Sequence, residues 1–599
     1  MGRAPLNLKV VVTEPSQPSH GDGSNAKVPF VFEGEDVAPA VHRSRPAHAS
    51  RTTPVRPQPS AGLLKTWVAS FGVLFVAVAA WTFASPLGSG PDEPAHLIRA
   101  ASLVRGQLVG TPIPHAPNAL KSTVTVEAPQ VFARLANDVG CFQFKPNVTA
   151  YCQHSLAGSE HDVGVYTYVG RYPPLYYALV GLPTLAAVSP TGMYMARLVS
   201  GALSAAMLAL AISSLRRCRG APLLGAGLAL AITPMALYLA AVINPSGLEI
   251  ASAISTWAAA MAVASEPPED VSASAVAVLG GSAVVLILTR ALSPLWALFI
   301  GATFFALCPS VRALLRRRSV QGWTAGCVVA GVAALVWDLA ANPFLTQPGS
   351  AIPPRTSELQ VVVLAVERLN LLVTSTIGNF GWLDTPSPFG VLVTWIAALG
   401  AVVLVGLCLA TRRRAAVLTG TVVAWVVVPV VLIISQARQE GILGQGRDFM
   451  TLAVGIPIVA GLVVGERLVD RRATLRLATL VIGALVICQV VDFYGALRRN
   501  TVGADGPFNA FASVTHGWAP PLPALLLFIV FTLAMVAFGF MLRQAAAEQP
   551  GSSVRAAAAA DVAPPSLDRS AGTAGTAEAT ELAGLGSHKG RNGRPHAPS

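Results

Sequence analysis

Twelve long apolar segments constrain the fold of this chain more than any other feature of its sequence. Each holds about 20 residues, the length that an α-helix needs to cross the hydrocarbon core of a bilayer. Only 12% of the residues are charged, about half of the share that is usual in soluble domains. We therefore predict an all-α integral membrane protein with about twelve transmembrane helices. The predicted spans fall near 63–85, 194–215, 221–243, 247–265, 273–291, 293–310, 324–341, 389–411, 415–435, 449–466, 477–496 and 521–543.

Clusters of basic residues between the apolar segments predict the orientation of the chain. Lysine and arginine are retained on the cytoplasmic side of membrane proteins. With both termini in the cytoplasm, all four clusters fall on that side of the plasma membrane. They also account for the net charge of +12 without a nucleic-acid partner. The clusters are Arg216, Arg217 and Arg219; Arg312 with Arg316, Arg317 and Arg318; Arg412, Arg413 and Arg414; and Arg467, Arg471, Arg472 and Arg476.

This topology divides the chain into a polytopic membrane domain at 61–544 and two tails. The tails, 1–60 and 545–599, are rich in Ala, Gly, Ser, Pro and Arg and lack periodic apolar positions. Such composition predicts disordered cytoplasmic tails. The large first and fourth extracytoplasmic loops run over 86–193 and 342–388.

The two large loops contain further predicted features. The segments 171–183 and 358–376 are aromatic-rich or amphipathic, which favours helices that lie in the membrane interface. Cys141 and Cys152 are the two cysteines in an outer loop, so we expect a disulfide in an oxidising compartment. Two unpaired thiols are the alternative.

An acidic pair directly follows the first apolar segment, in the sequence SGPDEPAHLIR (89–99). Carboxylates are costly near a bilayer and are seldom placed there without a role. At the start of a helix, Asp92 and Glu93 are favoured as ionised groups, fit to act as a catalytic general base or to ligate a divalent metal ion. His96 and Arg99 share their helical face as supporting residues. The alternative is a helix cap with an interfacial ion pair.

Arginines at the predicted outer ends of the helices form a second candidate site. The positive-inside rule predicts few of them. Guanidinium groups at this depth suit a phosphate that is bound by paired hydrogen bonds, whereas the alternative is that they reach out to lipid headgroups. The candidates for phosphate binding are Arg171, Arg197, Arg290 and Arg447.

Aromatic and acidic residues in the outer loops suggest a site for a sugar. Trp382 and Asp384 lie in IGNFGWLDTP (377–386), and aromatic faces stack on sugar rings while carboxylates accept their hydroxyls. A tight turn with a tryptophan anchored at the interface is the alternative. Tyr172 and Tyr176 are further candidates for substrate binding.

Taken in order, these segments resemble a bacterial family of polytopic membrane proteins of unknown function that is common in actinobacteria. The resemblance covers about 85–450. The family usually has an aromatic residue after Gly-Arg, where this chain has Asp448. The segments that carry it are PDEPAH (91–96), RYPPLYY (171–177), ARLVS (196–200), TPM with INPSGLE (233–249), TRALSPLW (289–296), IGNFGWLDTP (377–386) and QGRD (445–448).

That family is similar, more distantly, to the C-type (GT-C) membrane glycosyltransferases, which share the acidic pair, a Pro-Pro-Leu-Tyr helix and an Ala-Arg-Leu span. The resemblance implies an enzyme that moves a sugar from a polyprenyl-phosphate donor to an extracytoplasmic glycan or protein of the cell envelope. Asp92 takes the position of the base, with Glu93 assisting, and outer arginines hold the phosphate of the membrane lipid. No cofactor follows with certainty, and a divalent metal ion stays open.

Two other functions remain as alternatives. A transporter or flippase of a lipid-linked saccharide would need ionisable residues along a path inside the spans. The predicted span interiors are almost bare of them, with Asp338 near an end as the exception, and this favours the enzyme. A non-enzymatic membrane protein of envelope assembly would use the outer loops as docking surfaces.

Overall fold

The computed structural model describes residues 60–547, with gaps at 118–119, 154–155, 157–158, 219–220, 346–351, 466, 469 and 512–515. The predicted tails at 1–60 and 545–599 lie outside the described residues, except where the first and last helices reach into them. Arg219 of the first basic cluster lies in a gap.

Helices make up most of the described chain. In chain order they are α1 (Ser60–Ala84), α2 (Glu93–Val104), α3 (Gln130–Asp138), α4 (Pro174–Val180), α5 (Pro183–Ala186), α6 (Pro190–Leu215), α7 (Ala221–Ala231), α8 (Pro234–Ala241), α9 (Pro245–Ser265), α10 (Ala273–Thr289), α11 (Ser293–Leu307), α12 (Val311–Leu315), α13 (Arg318–Ala341), α14 (Glu358–Ile377), α15 (Phe389–Leu409), α16 (Arg412–Glu440), α17 (Gly446–Ala453), α18 (Gly455–Gly465), α19 (Arg471–Val502) and α20 (Ala524–Ala547). The strands are β1 (Thr111–Pro112), β2 (Val124–Pro129), β3 (Asp162–Thr167), β4 (Asn379–Phe380) and β5 (Thr385–Pro386).

Within the described residues, ten helices are long and apolar enough to cross a membrane, or eleven if the bent pair α7 and α8 forms one span. The predicted all-α polytopic fold is therefore confirmed. The number of spans is below the expected twelve because α10 and α11, with 17 and 15 residues, are short. Conversely, α14 was expected to lie in the interface, yet its 20 residues meet the length and composition of a span.

A proline breaks the third predicted span into α7 and α8, which meet at 52°. Pro234 has no N–H to continue the helical ladder, and the Thr233 side chain instead accepts the N–H of Ala236 at 3.2 Å. A neighbouring helix satisfies a carbonyl at the break, because the Gln489 side chain of α19 donates to the Ile232 carbonyl at 2.8 Å. Such replacement partners are what allow a broken helix inside a membrane.

A small sheet and α2 form the folded part of the first outer loop. Strands β2 and β3 pair antiparallel from Val124 opposite Thr167 to Pro129 opposite Asp162, and β1 pairs with the other edge of β2. Apolar side chains of β2 pack with Ile98 of α2. Residues between α3 and β3 are linked by a disulfide that joins Cys141 and Cys152. Helix α2, which begins with Glu93 directly after Asp92, is thus covered by the loop's own sheet.

An aromatic cluster lies beneath the segment that leads to the acidic pair. The ring of Trp81, near the end of α1, lies 5.0 to 6.0 Å from the rings of Tyr238, Phe380, Phe493 and Phe531. Large aromatic side chains contribute strongly to the packing of a core. The Tyr238 hydroxyl also donates to the backbone carbonyl of Ser89 at 3.1 Å. This bond fixes the segment before Asp92 to the aromatic cluster.

Candidate active site

The chain turns sharply at Asp92, the residue before α2. Its φ of 59° lies in the left-handed region, which aspartate tolerates better than most residues. Pro94 fits the first turn of the helix that follows, where no backbone N–H is needed. Residues held in such conformations occur often at functional sites. Here the turn precedes a helix in which ten of the twelve residues are buried.

Glu93 and Arg197 form an ion pair inside the protein. Two hydrogen bonds of 2.6 Å join the guanidinium to the carboxylate, and the two side chains are 2% and 0% exposed. The carboxylate also accepts the backbone N–H groups of Gly90 and Ile243, each at 3.1 Å. All of these donors and acceptors are satisfied by the protein itself, so the pair connects α2 to α6 and does not reach the exposed part of the site.

Arg197 also holds the end of α1. Its two terminal amino groups donate to the carbonyls of Thr82, Ser85 and Pro86 at 2.7 to 3.0 Å. The last carbonyls of a helix have no partner within the helix and need one elsewhere. Arg197, predicted to bind phosphate, therefore caps α1 in the structure.

Asp92, unlike its neighbour, is partly open to solvent, with 27% of its side chain exposed. The Tyr168 hydroxyl donates to Oδ1 at 2.6 Å, and Arg447 donates to Oδ2. Burial alone would raise the pKa of this carboxyl, but the charge of Arg447 and the hydrogen bonds outweigh burial and hold the pKa below its ordinary value of 3.8. Asp92 is therefore a carboxylate at neutral pH, with both oxygens bound.

A second group of charges lies beside this pair. Arg290 follows α10 and lies between two carboxylates, at 2.9 Å from Glu249 and 3.4 Å from Asp448. The Ser293 hydroxyl donates to the other oxygen of Glu249 at 2.7 Å. Arg290 and Asp448 are 20% and 29% exposed, whereas Glu249 is buried. Because Arg447 and Asp448 are consecutive residues, the two groups form one cluster.

The position of Arg447 and Asp448 depends on a close contact at the start of α17. A Cβ on Gly446 would lie 2.6 Å from the Ser375 hydroxyl and 2.6 Å from the backbone nitrogen of Thr376, so a residue with a side chain would push α17 away from α14. The Ser375 hydroxyl accepts the N–H of Gly446 at 3.0 Å. This glycine brings the two charged residues that follow it to Asp92 and Arg290.

Aromatic residues and a histidine close one side of the cluster. His96 lies on α2 with its Nδ1 2.8 Å from the Tyr177 hydroxyl, and its ring centre lies 6.2 Å from that of Tyr172. Burial lowers the pKa of His96 to about 3, so the imidazole is neutral at physiological pH. Burial also raises the pKa of Tyr172. Both groups are thus uncharged neighbours of the charge cluster.

The structure brings five of the predicted site residues together and places the others elsewhere. Together lie Asp92, His96, Tyr172, Arg290 and Arg447. They are joined by Glu249 and Asp448, which end the family segments INPSGLE and QGRD, and by Tyr168 and Tyr177. These four were not predicted as site residues. The other predicted residues bond to structural partners. Three of them donate to backbone carbonyls: Arg99 to those of Gln107 and Tyr172, Arg171 to that of Ala341, and Trp382 to that of Gly88. The Tyr176 hydroxyl forms a hydrogen bond with that of Ser200, and Asp384 forms an ion pair with Arg499.

The carboxylates of the cluster do not fit a divalent metal ion as arranged. Such an ion needs several oxygen ligands with free lone pairs, but Asp92, Glu249 and Asp448 each face an arginine at hydrogen-bond distance. In the described part of the chain, no three side chains of His, Cys, Asp or Glu are grouped to hold a metal.

Five segments that are far apart in the sequence meet at this cluster. They are 91–96, 168–177, 244–249, 290–293 and 445–448. Direct bonds join them: the Asn244 side chain donates to the Pro91 carbonyl at 2.9 Å, and Arg447 donates to the same carbonyl at 3.3 Å. Polar side chains from distant segments that converge at a partly exposed position are typical of a functional site.

Comparison with known proteins identifies a family for most of the chain. Residues 74–456 match a family described as "Predicted membrane protein (DUF2142)". No curated protein matches significantly. Among solved structures, the chain is similar to ArnT from Cupriavidus metallidurans bound to undecaprenyl phosphate, at 15% identity and a TM-score of 0.37, over 85% of this chain and 82% of that chain. The apo state of the same protein is similar at 13% identity and a TM-score of 0.38, over 84% and 81%.

Proposed function

We propose, from the premise that this chain belongs to the DUF2142 family of predicted membrane proteins, that it is an integral membrane glycosyltransferase. It moves a sugar from a polyprenyl-phosphate donor to a glycan or protein outside the cytoplasm. The class of donor is taken from the sequence resemblance to the C-type glycosyltransferases. The site lies at the extracytoplasmic face of the plasma membrane, and both termini are cytoplasmic.

One observation carries the proposal: a partly exposed carboxylate, Asp92, lies within hydrogen-bond distance of an arginine from a distant segment, beside a second arginine. Glycosyl transfer from a lipid phosphate needs a base for the acceptor hydroxyl and cations for the phosphate that leaves. Asp92 supplies the first, and Arg447 and Arg290 supply the second.

The charges of the cluster indicate how the donor enters. Asp92, Glu249 and Asp448 bring three negative charges against two positive charges of Arg290 and Arg447, so the cluster has a formal net charge of −1. A lipid phosphate is bound only if it replaces a carboxylate as the partner of an arginine. We assign this exchange to the contact between Arg447 and Asp92, whose side chains are 9% and 27% exposed.

The exchange also prepares the base. When the phosphate takes the hydrogen bonds of Arg447, Oδ2 of Asp92 loses its partner and the pKa of the carboxyl rises toward the value set by burial. The acceptor oxygen then attacks the anomeric carbon, its proton moves to Oδ2, and the bond between that carbon and the phosphate oxygen breaks. The phosphate leaves with the electron pair and is stabilised by the arginines.

Glu93 has a positioning role in this scheme, and so does Arg197. Their buried pair fixes the backbone that leads to Asp92, through the carbonyls of Ser85 and Pro86 and the N–H of Gly90. Tyr168 orients the carboxylate through Oδ1. Trp382 lies outside the cluster, and its indole donates to the Gly88 carbonyl in the segment that leads to Asp92, so it also has a positioning role.

The test is Asp92→Asn in purified protein in proteoliposomes, with a radiolabelled polyprenyl-phosphate sugar and an envelope glycan fraction as acceptor. Asparagine has the same shape and accepts the left-handed backbone of Asp92, but it cannot take a proton. We expect transfer to fall at least about 100-fold, the lower end of what a general base contributes, with membrane insertion unchanged.

Asp162→Asn is the matched control, because Asp162 is exposed on β3 of the same loop and should keep full activity. Retained transfer in the Asp92 variant would remove the proposed base. Movement of the donor across the bilayer without transfer to the acceptor would favour the flippase instead.

A further inference from the structure

His96 has one ring nitrogen that is bonded and one that is not. Its Nδ1 lies 2.8 Å from the Tyr177 hydroxyl, and among the described residues this is the one hydrogen bond that the ring makes. The ring is close enough to Asp92, Arg447 and Arg290 to interact with the charges of all three, and the residue is 4% exposed. The second nitrogen, Nε2, is therefore an unused polar atom at the charge cluster of the candidate active site.

The Tyr177 hydroxyl determines which nitrogen of His96 carries the proton. Tyr177 is fully buried, with the guanidinium carbon of Arg99 5.7 Å from its ring centre and the ring of Tyr176 edge-on at 5.2 Å. In the part of the chain that the structure describes, this hydroxyl has His96 as its single hydrogen-bond partner. A buried hydroxyl whose proton has no acceptor is costly. The proton of the hydroxyl therefore points to Nδ1, and Nδ1 is the acceptor.

The bond at Nδ1 makes Nε2 a hydrogen-bond donor. A neutral imidazole carries one proton, on one nitrogen or the other, and the bond that one nitrogen makes selects the state of the other. His96 is neutral because burial lowers its pKa to about 3. With Nδ1 as acceptor, the proton is on Nε2. This N–H has no acceptor among the described residues, although it lies at a cluster that holds three carboxylates.

We propose that His96 binds the phosphate of the polyprenyl-phosphate donor, by donating Nε2–H to one of its oxygens. The identity of this ligand rests on the proposed function. Arg447 and Arg290 already have carboxylate partners, whereas the Nε2–H gives up no protein partner when a phosphate arrives. As a neutral group it also adds a hydrogen bond without a third cation, which would itself pair with the carboxylates of the cluster.

The experiment measures binding of farnesyl phosphate, a short polyprenyl phosphate without a sugar, and of farnesol, which lacks the phosphate, by native mass spectrometry of the full-length protein. His96→Asn and His96→Gln are matched variants with neutral amides. The asparagine amide replaces Nδ1 and can still accept from Tyr177, whereas the longer glutamine places an N–H near the position of Nε2. We expect His96→Asn to bind farnesyl phosphate about tenfold more weakly than wild type and His96→Gln to stay within about threefold of it. Farnesol should bind all three proteins equally.

The position of the proton is measured separately, by nitrogen-15 NMR of histidine-labelled wild-type protein in bilayers. Of the 10 histidines, His96 is the one whose signals disappear in His96→Gln. Its spectrum should show a protonated Nε2 that shifts when farnesyl phosphate is added.

Three outcomes would overturn the proposal. One is a proton on Nδ1. Another is a loss of farnesyl phosphate binding in His96→Gln that equals or exceeds the loss in His96→Asn, which would leave His96 a structural partner of Tyr177. The third is an equal loss of farnesol binding. None of these measurements needs sugar transfer, so a protein that binds farnesyl phosphate through His96 but transfers no sugar would contradict the proposed function and not this inference.

Discussion

Asp92 combines an unusual backbone conformation, partial exposure and two charge-sensitive hydrogen bonds in one residue. The proline on each side of the acidic pair and the position after a span make it recognisable in the sequence. The sequence does not show that Asp92 and Glu93 have different roles, because these adjacent acids differ only in the partners that the fold brings to them. Arg197 comes from α6 and takes Glu93 out of the exposed site.

The pH dependence of transfer should report the contact between Asp92 and Arg447. A general base must be ionised, and a pKa held below 3.8 keeps Asp92 ionised down to acidic pH. We expect kcat/KM of the wild type to stay flat as pH falls from 7 to about 4. In Arg447→Gln the pKa rises, because burial is no longer offset, and activity should begin to fall at a higher pH.

The quantity to compare is the pH at which kcat/KM begins to fall as the solution is acidified (the acidic limb of the pH profile). The maximal activity is not compared, since Arg447 also binds phosphate in the proposed scheme. Arg438→Gln serves as control, because Arg438 pairs with Glu358 outside the cluster. Acidic limbs that coincide in Arg447→Gln and wild type would contradict the assignment of Asp92 as base.

The remaining members of the cluster show why residue roles were only partly predictable. Arg290 and Arg447 were recognisable as arginines where the positive-inside rule expects few. Tyr168 gave no signal, since a tyrosine in a loop is common and only the fold brings its hydroxyl to Asp92. Glu249 and Asp448 lie in family segments but were not predicted as site residues, because their partner, Arg290, lies in another segment.

At the scale of elements, the ion pair of Glu93 with Arg197 connects α1, α2 and α6. Glu93→Gln removes the negative charge and leaves Arg197 buried without it, which should lower the free energy of unfolding by about 3 to 5 kcal/mol. Glu127→Gln is the control, because Glu127 is exposed on β2, and its effect should stay within about 0.5 kcal/mol. Thermal or denaturant unfolding in detergent measures both. Equal stability of the two variants would show that the pair does not hold these helices together.

The elements themselves were more predictable than the site. Each predicted apolar segment is helical in the structure, because about 20 apolar residues in a membrane have no other way to satisfy their backbone. The errors concern length: α10 and α11 are short, and α14 is as apolar as a span although glutamates and arginine lie along it. Hydropathy alone does not distinguish a helix that lies in the interface from one that crosses the membrane.

At the scale of the whole molecule, the predicted orientation has a direct test. If the basic clusters are cytoplasmic, the first loop is outside. We expect a cysteine at Tyr166, which is 65% exposed on β3, to react with a membrane-impermeant maleimide in intact cells. A cysteine at Arg316 should react only after permeabilisation.

Unmodified protein gives the background from the native thiols, of which Cys408 is exposed. The reverse pattern of labelling would place the candidate site in the cytoplasm and remove the proposed extracytoplasmic acceptor.

The bend between α7 and α8 also bears on how the protein is made. The carbonyl that the bend frees at Ile232 is satisfied by Gln489, 257 residues later in the chain, and the carbonyl of Leu230 by Trp395, 165 residues later. A ribosome delivers those side chains only after most of the protein has been synthesised. Until then the bent pair has unsatisfied polar groups, which are costly in lipid. The bent pair therefore reaches its final position in the bilayer as one of the last events of biosynthesis. In a chain truncated before α19, the Ile232 carbonyl would lack the Gln489 side chain as its partner.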